Sequence, residues 1–188
     1  MHNYTINGSD LKNMLLVGTN ALKNNCDYVN DLNVFPVPDG DTGSNMLKTL
    51  EGGVKALAKT TSISACDVMQ DFANGALMGA SGNSGVILSQ ILKGISLALK
   101  ELTTITVSDF ANAFNNGVKT SYKAVENPVE GTILTVFREA TEYATQNITE
   151  NSTVIDFLKL HIEKAKKSLV NTKEILPVLK EADVVAFQ

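Results

Sequence analysis

Apolar residues recur at helical spacing along nearly the whole chain, as in Leu11, Met14, Leu15, Gly18 and Leu22, or Val86, Ile87, Gln90, Ile91, Gly94 and Leu97. A period of 3.6 residues gathers such positions into one stripe, which has to be buried against other helices. Three segments open with Ser/Thr-x-x-Asp, at Ser64 with Asp67, Thr106 with Asp109 and Thr153 with Asp156. In this pattern the hydroxyl caps an orphan N–H and the carboxylate faces the positive end of the helix dipole. Together these signals predict helices at 9–25, 44–58, 65–80, 84–100, 107–124, 132–147, 154–170 and 174–182. The Thr-rich stretch from Leu102 to Val107 reads as β-like with no partner in sequence, hence as a linker. Helices of this length span about 24 Å, and short connections make neighbours antiparallel. The expected fold is all-α: an eight-helix antiparallel up-and-down bundle or closed barrel.

Composition narrows the function classes. The 188 residues suit one domain, and a net charge of -4 gives no general attraction to nucleic acid or anionic lipid. No transmembrane segment or signal-peptide pattern is present in the sequence, so a cytoplasmic location is expected. Cys26 and Cys66 are too few and too far apart for a disulfide framework or metal knuckle and read as small buried residues. His2 and His161 are the only histidines, one at a terminus expected to fray and one in a Lys-rich helix. A histidine-based triad or metal centre is therefore not expected.

The glycines break the regular scheme. Eight of thirteen lie between Gly40 and Gly85, concentrated in Pro-Asp-Gly-Asp-Thr-Gly-Ser-Asn at 38–45 and Gly-Ala-Ser-Gly-Asn-Ser-Gly at 79–85. Each cluster runs directly into an apolar helix, offering free N–H groups and hydroxyls at a positive helix end, which is how anions are held. Asp39 and Asp41 flank one glycine and can converge on a hard cation such as Mg²⁺. An EF-hand fails on spacing, because Ser44 stands where its glycine belongs and Leu50 where its last acid belongs. No Gly-x-x-x-x-Gly-Lys-Ser/Thr loop occurs. No Lys or Arg lies between Lys23 and Lys48, or between Lys59 and Lys93, so neither glycine loop has a cation of its own for a polyphosphate. A bridging divalent metal would turn the repulsion between carboxylates and phosphates into attraction, which points to a metal nucleotide.

Three segments carry a family resemblance: Leu32-Asn-Val-Phe-Pro-Val-Pro-Asp-Gly-Asp-Thr-Gly-Ser-Asn-Met46, Leu77-Met-Gly-Ala-Ser-Gly-Asn-Ser-Gly-Val-Ile-Leu-Ser-Gln90 and Pro128-Val-Glu-Gly-Thr-Ile-Leu-Thr-Val136. They resemble the N-terminal ATP-binding domain of bacterial fatty acid kinase, and more distantly the nucleotide-binding L subunit of dihydroxyacetone kinases (the DhaL type). The resemblance implies that residues 1–188 form one such domain, the N-terminal part of a longer kinase, with ATP and Mg²⁺ at one end of an eight-helix barrel. It implies metal ligands at Asp39 and Asp41, with Asn33 as a third. It places Thr42, Gly43, Ser44 and Asn45 along the phosphates, with Gly82, Asn83 and Ser84 at a second anion-holding helix start and Gly131 and Thr132 at a third. Leu176-Pro-Val-Leu-Lys-Glu-Ala182 is followed by Val184-Val185-Ala-Phe-Gln188, where the family has an Asp/Ser/Gly-rich closing segment, so weaker ATP affinity is expected.

Fatty acid kinase phosphorylates a fatty acid carboxylate presented by a separate lipid-carrying protein, and that partner is implied here, along with a homodimer formed through further domains. A carboxylate is ionised near neutral pH and needs no general base, so Asp39 and Asp41 would organise charge without carrying protons. Arg138, the sole arginine, reads as a solvated or ion-paired residue. Two rival readings remain: the nucleotide-binding subunit of a dihydroxyacetone kinase, and a helical domain that binds Mg-ATP without catalysis.

Overall fold

Residues 5–184, the part described by this computed structural model, contain seven long helices and two short ones. In chain order they are α1 (Gly8–Asn24), α2 (Cys26–Asp31), α3 (Thr42–Leu57), α4 (Ala65–Met78), α5 (Gly82–Ala98), α6 (Val107–Ala124), α7 (Ile133–Asn147), α8 (Val154–Ile175) and α9 (Pro177–Glu181). His2 and the Val185–Gln188 tail lie outside the described residues.

The all-α expectation holds, while its count of eight is corrected to nine among the described residues. The unforeseen helix is α2, a six-residue turn without a side-chain cap. The expected helix at 174–182 divides: α8 runs on through Ile175, Leu176 leaves helical geometry at ψ 102°, and Pro177 starts α9. The residue before a proline is driven out of the α region, and a proline fits the first turn of the next helix.

The supposed linker also needs correction. Thr104–Ile105 forms β2, which pairs antiparallel with β1 (Ile6–Asn7), Ile6 opposite Ile105. Thr106–Asp109 and Thr153–Asp156 form full capping boxes, and Asn7 with Asp10 makes a third. Ser64 makes no side-chain cap; Asp67 instead accepts a hydrogen bond from Ser62 Oγ at 2.7 Å. The two cysteines are half-buried, not buried as expected.

Residue pairings fix the helix directions. Gly79 packs on Lys48 and Gly52, and Gly75 on Gly52, so α3 and α4 are antiparallel. Asn45 meets Gly82 and Thr49 meets Gly85, so α3 and α5 run parallel with their starts side by side. Asn115–Thr145 and Tyr122–Arg138 make α6 and α7 antiparallel, as Thr141–His161 and Lys164–Glu139 do for α7 and α8. The starts of α4 and α6 share the opposite end, where Leu102 and Thr103 carbonyls accept the N–H groups of Cys66 and Ala65. The starts of α3, α5 and α7 therefore share one end of the bundle. Between the helices lies a core containing Leu57, Met69, Phe72, Leu99, Ile105 and Phe157.

Candidate functional site

At that shared end a cleft of about 180 Å³ opens between the loop before α3 and the start of α5. Asn33, Asp39, Asp41, Thr42 and Asn45 line one wall, and Gly82, Asn83 and Ser84 the other. Two sequence segments some forty residues apart, each singled out for its glycines, thus form a single site. Pro36, Val37 and Ile87 supply apolar walls that the sequence reading did not assign; the signal was present in the Val-Pro run beside the acids.

The carboxylates of Asp39 and Asp41 are exposed and make no hydrogen bond or ion pair with other described residues. Asp41 occupies the N-cap position of α3 without capping it. Gly40 between them has φ +67°, a conformation that glycine adopts without strain, and its N–H donates to Asn33 Oδ1 at 2.8 Å. Asn33 is 8% exposed, lines the cleft and braces the acidic loop through this bond. Thr42, the first residue of α3, is buried, and Ser84 Oγ approaches its carbonyl at 3.5 Å.

The two helix starts facing the cleft share one property. No described acceptor takes the N–H groups of Thr42, Gly43, Gly82, Asn83 or Ser84, and Ser81 leaves α5 without a side-chain cap. At the other long helices the N-cap side chain or a loop carbonyl takes at least one such group: Asn7 those of Ser9 and Asp10, Thr106, Thr132 and Thr153 those of Asp109, Leu134 and Asp156, and the Leu102 and Thr103 carbonyls those of Cys66 and Ala65. At α3, Asn30 takes that of Ser44 from outside the cap. Unpaired N–H groups at a helix start, reinforced by the dipole, form an anion site.

Not every expected residue faces the cleft. Gly43 packs against the Cys26 carbonyl, where a side chain would collide, and Ser44 is tied to Asn30 by hydrogen bonds of 3.0 Å to its N–H and its hydroxyl. Both serve to dock α2 on α3. Gly131 and Thr132 lie at the same bundle end but off the cleft wall. Thr132 caps α7 and donates to the Val129 carbonyl at 2.8 Å, while Gly131 packs on Ile175 and Leu176.

Beside Gly131, the Glu130 carboxylate accepts hydrogen bonds from Thr135, Tyr122 (3.0 Å) and Arg138 (3.0 Å). Its burial acts to raise the carboxyl pKa, yet these three donors together hold it below the usual value. Arg138 also pairs with Glu142 at 3.6 Å, in keeping with the ion-paired role read from the sequence.

The donor set suits a hard divalent cation. No group of three or more His, Cys, Asp or Glu side chains able to hold a metal occurs among the described residues. Two free carboxylates beside an anion site match magnesium, which typically takes one or two protein carboxylates and completes its shell with water and substrate phosphate. The cleft volume, below the roughly 300–1,000 Å³ of pockets that engulf a whole ligand, suits the phosphate end of a nucleotide.

A family model described as the DAK2 domain matches residues 36–187. An uncharacterized protein of Staphylococcus saprophyticus is 46% identical over 96% of this chain, and uncharacterized proteins of Staphylococcus epidermidis and Staphylococcus aureus are 45% and 43% identical over the same share. In each comparison the chain spans 33% of the relative's length. No helix among the described residues is long and apolar enough to cross a membrane.

Proposed function

Because the chain belongs to the DAK2 domain family, we propose that it is the Mg-ATP-binding domain of a kinase that transfers the γ-phosphoryl group to a fatty acid carboxylate. The acceptor is presented by a separate lipid-carrying protein. The observation that carries this reading is the convergence on one cleft of two parallel helix starts whose N-cap side chains make no capping bond and two carboxylates without a partner among the described residues.

In this reading Asp39 and Asp41 hold magnesium, which when bound neutralises phosphate charge and orients the terminal phosphoryl group. The N–H groups at the starts of α3 and α5 bind phosphate oxygens, and Asn45 and Asn83 offer amide donors from the two walls. Asn33 keeps Asp39 and Asp41 at a fixed spacing through Gly40. Pro36, Val37 and Ile87 restrict water. No residue of the cleft has to remove a proton, since an acceptor carboxylate is already ionised. The same reading expects the helices to close as the up-and-down barrel, with Gly131 and Thr132 meeting the nucleotide from the same end.

The test supplies full-length protein with labelled ATP, Mg²⁺ and either a fatty acid-loaded carrier or a dihydroxyacetone-loaded partner. Label in the fatty acid supports the proposal. Label in dihydroxyacetone transfers the site to the other acceptor class, and ATP binding without transfer to either reduces the domain to a nucleotide-binding module.

A further inference from the structure

The outer face shared by α4 and α5 is unlike the rest of this acidic chain. From Phe72 to Lys100 there is no acidic residue, although the whole protein carries a net charge of -4. Lys93 and Leu97 lie four residues apart on α5, Lys100 follows in the turn just past its end, and all three are exposed. Lys93 makes no ion pair with a described residue, and Lys100 has only its exposed neighbour Glu101 at 3.9 Å. Across from them, Cys66, Gln70, Ala73 and Asn74 of α4 complete a groove of about 290 Å³. The two acids of α4 are already engaged, Asp67 by Ser62 and Cys66 and Asp71 by Thr60. Toward the cleft end the face continues through three more exposed apolar side chains: Leu77, Val86 and Met78, the last 91% exposed.

We propose that this α4–α5 groove docks an acidic amphipathic helix of a partner protein, with an apolar residue seated between the two helices and carboxylates meeting Lys93 and Lys100. Lys100 lies seven residues after Lys93 and just past the end of α5, which sets the two lysines about 10 Å apart along the axis at roughly 1.5 Å per residue. That spacing matches two acids two turns apart, at i and i+7, on a docked helix and is wide for the single head group of a small amphiphile. A concave groove between helices also favours an inserted side chain over a flat bilayer, to which two lysines contribute only about 1 kcal/mol each. Helix-in-groove recognition uses this combination of apolar anchor and flanking charge. The assignment does not depend on the nucleotide reading of the cleft.

The test uses two fluorescent, helix-stapled peptides: one with Glu at positions i and i+7 and Leu at i+4, the other with Lys replacing both Glu. Anisotropy against the full chain should show the acidic probe binding at least tenfold tighter, with amide NMR shifts confined to α4 and α5. Lys93→Glu with Lys100→Glu should invert the preference, and Leu97→Ala should weaken the acidic probe. All three positions are exposed, so melting should not change. Asp39→Asn should leave probe binding intact, which separates this face from the cleft. Equal binding of the two peptides, or an unchanged preference in the double variant, overturns the proposal. So does lysine-dependent binding to phosphatidylglycerol vesicles without peptide binding.

Discussion

The starts of α3 and α5 and the starts of α6, α7 and α8 are built from similar residues and behave in opposite ways. At α6, α7 and α8 a threonine caps the helix, and beside α7 the polar side chains of Glu130, Thr135, Tyr122 and Arg138 are tied together by hydrogen bonds. At α3 and α5 the N-cap side chains, Asp41 and Ser81, make no capping bond, no described acceptor takes the N–H groups of Thr42, Gly43, Gly82, Asn83 or Ser84, and both carboxylates are left without partners among the described residues. Polar groups already satisfied inside the protein contribute stability, whereas unspent ones are available to a ligand. The difference lies in what each residue already bonds: the Thr132 hydroxyl is engaged in capping α7 and in its bond to the Val129 carbonyl, whereas the carboxylates on either side of Gly40 have no partner among the described residues.

The sharpest way to break this contrast is at the acids. Asp39→Ala or Asp41→Ala should lower phosphoryl transfer by the full-length protein at least 100-fold while leaving apo-domain melting within about 2 °C, since neither carboxylate has a protein partner to lose. Near-normal turnover, or loss of the fold, would make the acidic loop architectural.

A smaller effect is expected in the closed half. His161 sits among Phe114, Phe137 and Phe157 and meets Thr141 Oγ1 at 3.2 Å, and burial pushes its pKa down to about 4 from 6.5. The unfolded chain therefore takes up the proton first as pH falls. The stability from keeping this ring neutral is fully present above about pH 6.5 and is lost toward pH 4, by about 3 kcal/mol at most. Denaturant titrations across that range should show the slope, and His161→Phe should flatten it.

The smallest effects test the caps. Thr106→Ala removes a hydroxyl that accepts the Asp109 N–H and donates to the Asp109 carboxylate, and should cost about 1 kcal/mol, or roughly 3 °C of melting. Ser81→Ala, at an N-cap whose side chain makes no capping bond, should stay within about 0.5 kcal/mol. Equal losses would erase the distinction between capped and open helix starts.

Much of this was legible in the sequence where a local rule decides the outcome. The apolar period located the long helices, and Thr106–Asp109 and Thr153–Asp156 marked two starts because capping boxes involve only neighbours in sequence. What depended on distant partners was not legible. Ile6–Asn7 and Thr104–Ile105 are too short to show alternation and lie about a hundred residues apart. Ser64 has the same spelling as the working caps, but Ser62 takes its Asp67. Glycine was the ambiguous letter: at Gly82, φ +60° and the Asn45 amide explain it at the cleft, whereas at Gly43 the approach of the Cys26 carbonyl explains it by packing. Only three-dimensional clearance separates the two roles.

The central claim is that this end of the bundle binds polyphosphate through metal held by Asp39 and Asp41, because no basic residue lies in either glycine loop. Calorimetry of ATP binding to the full chain with Mg²⁺ and again with EDTA tests it directly. The account predicts binding with metal and at least a tenfold loss in EDTA; undiminished binding in EDTA would contradict it.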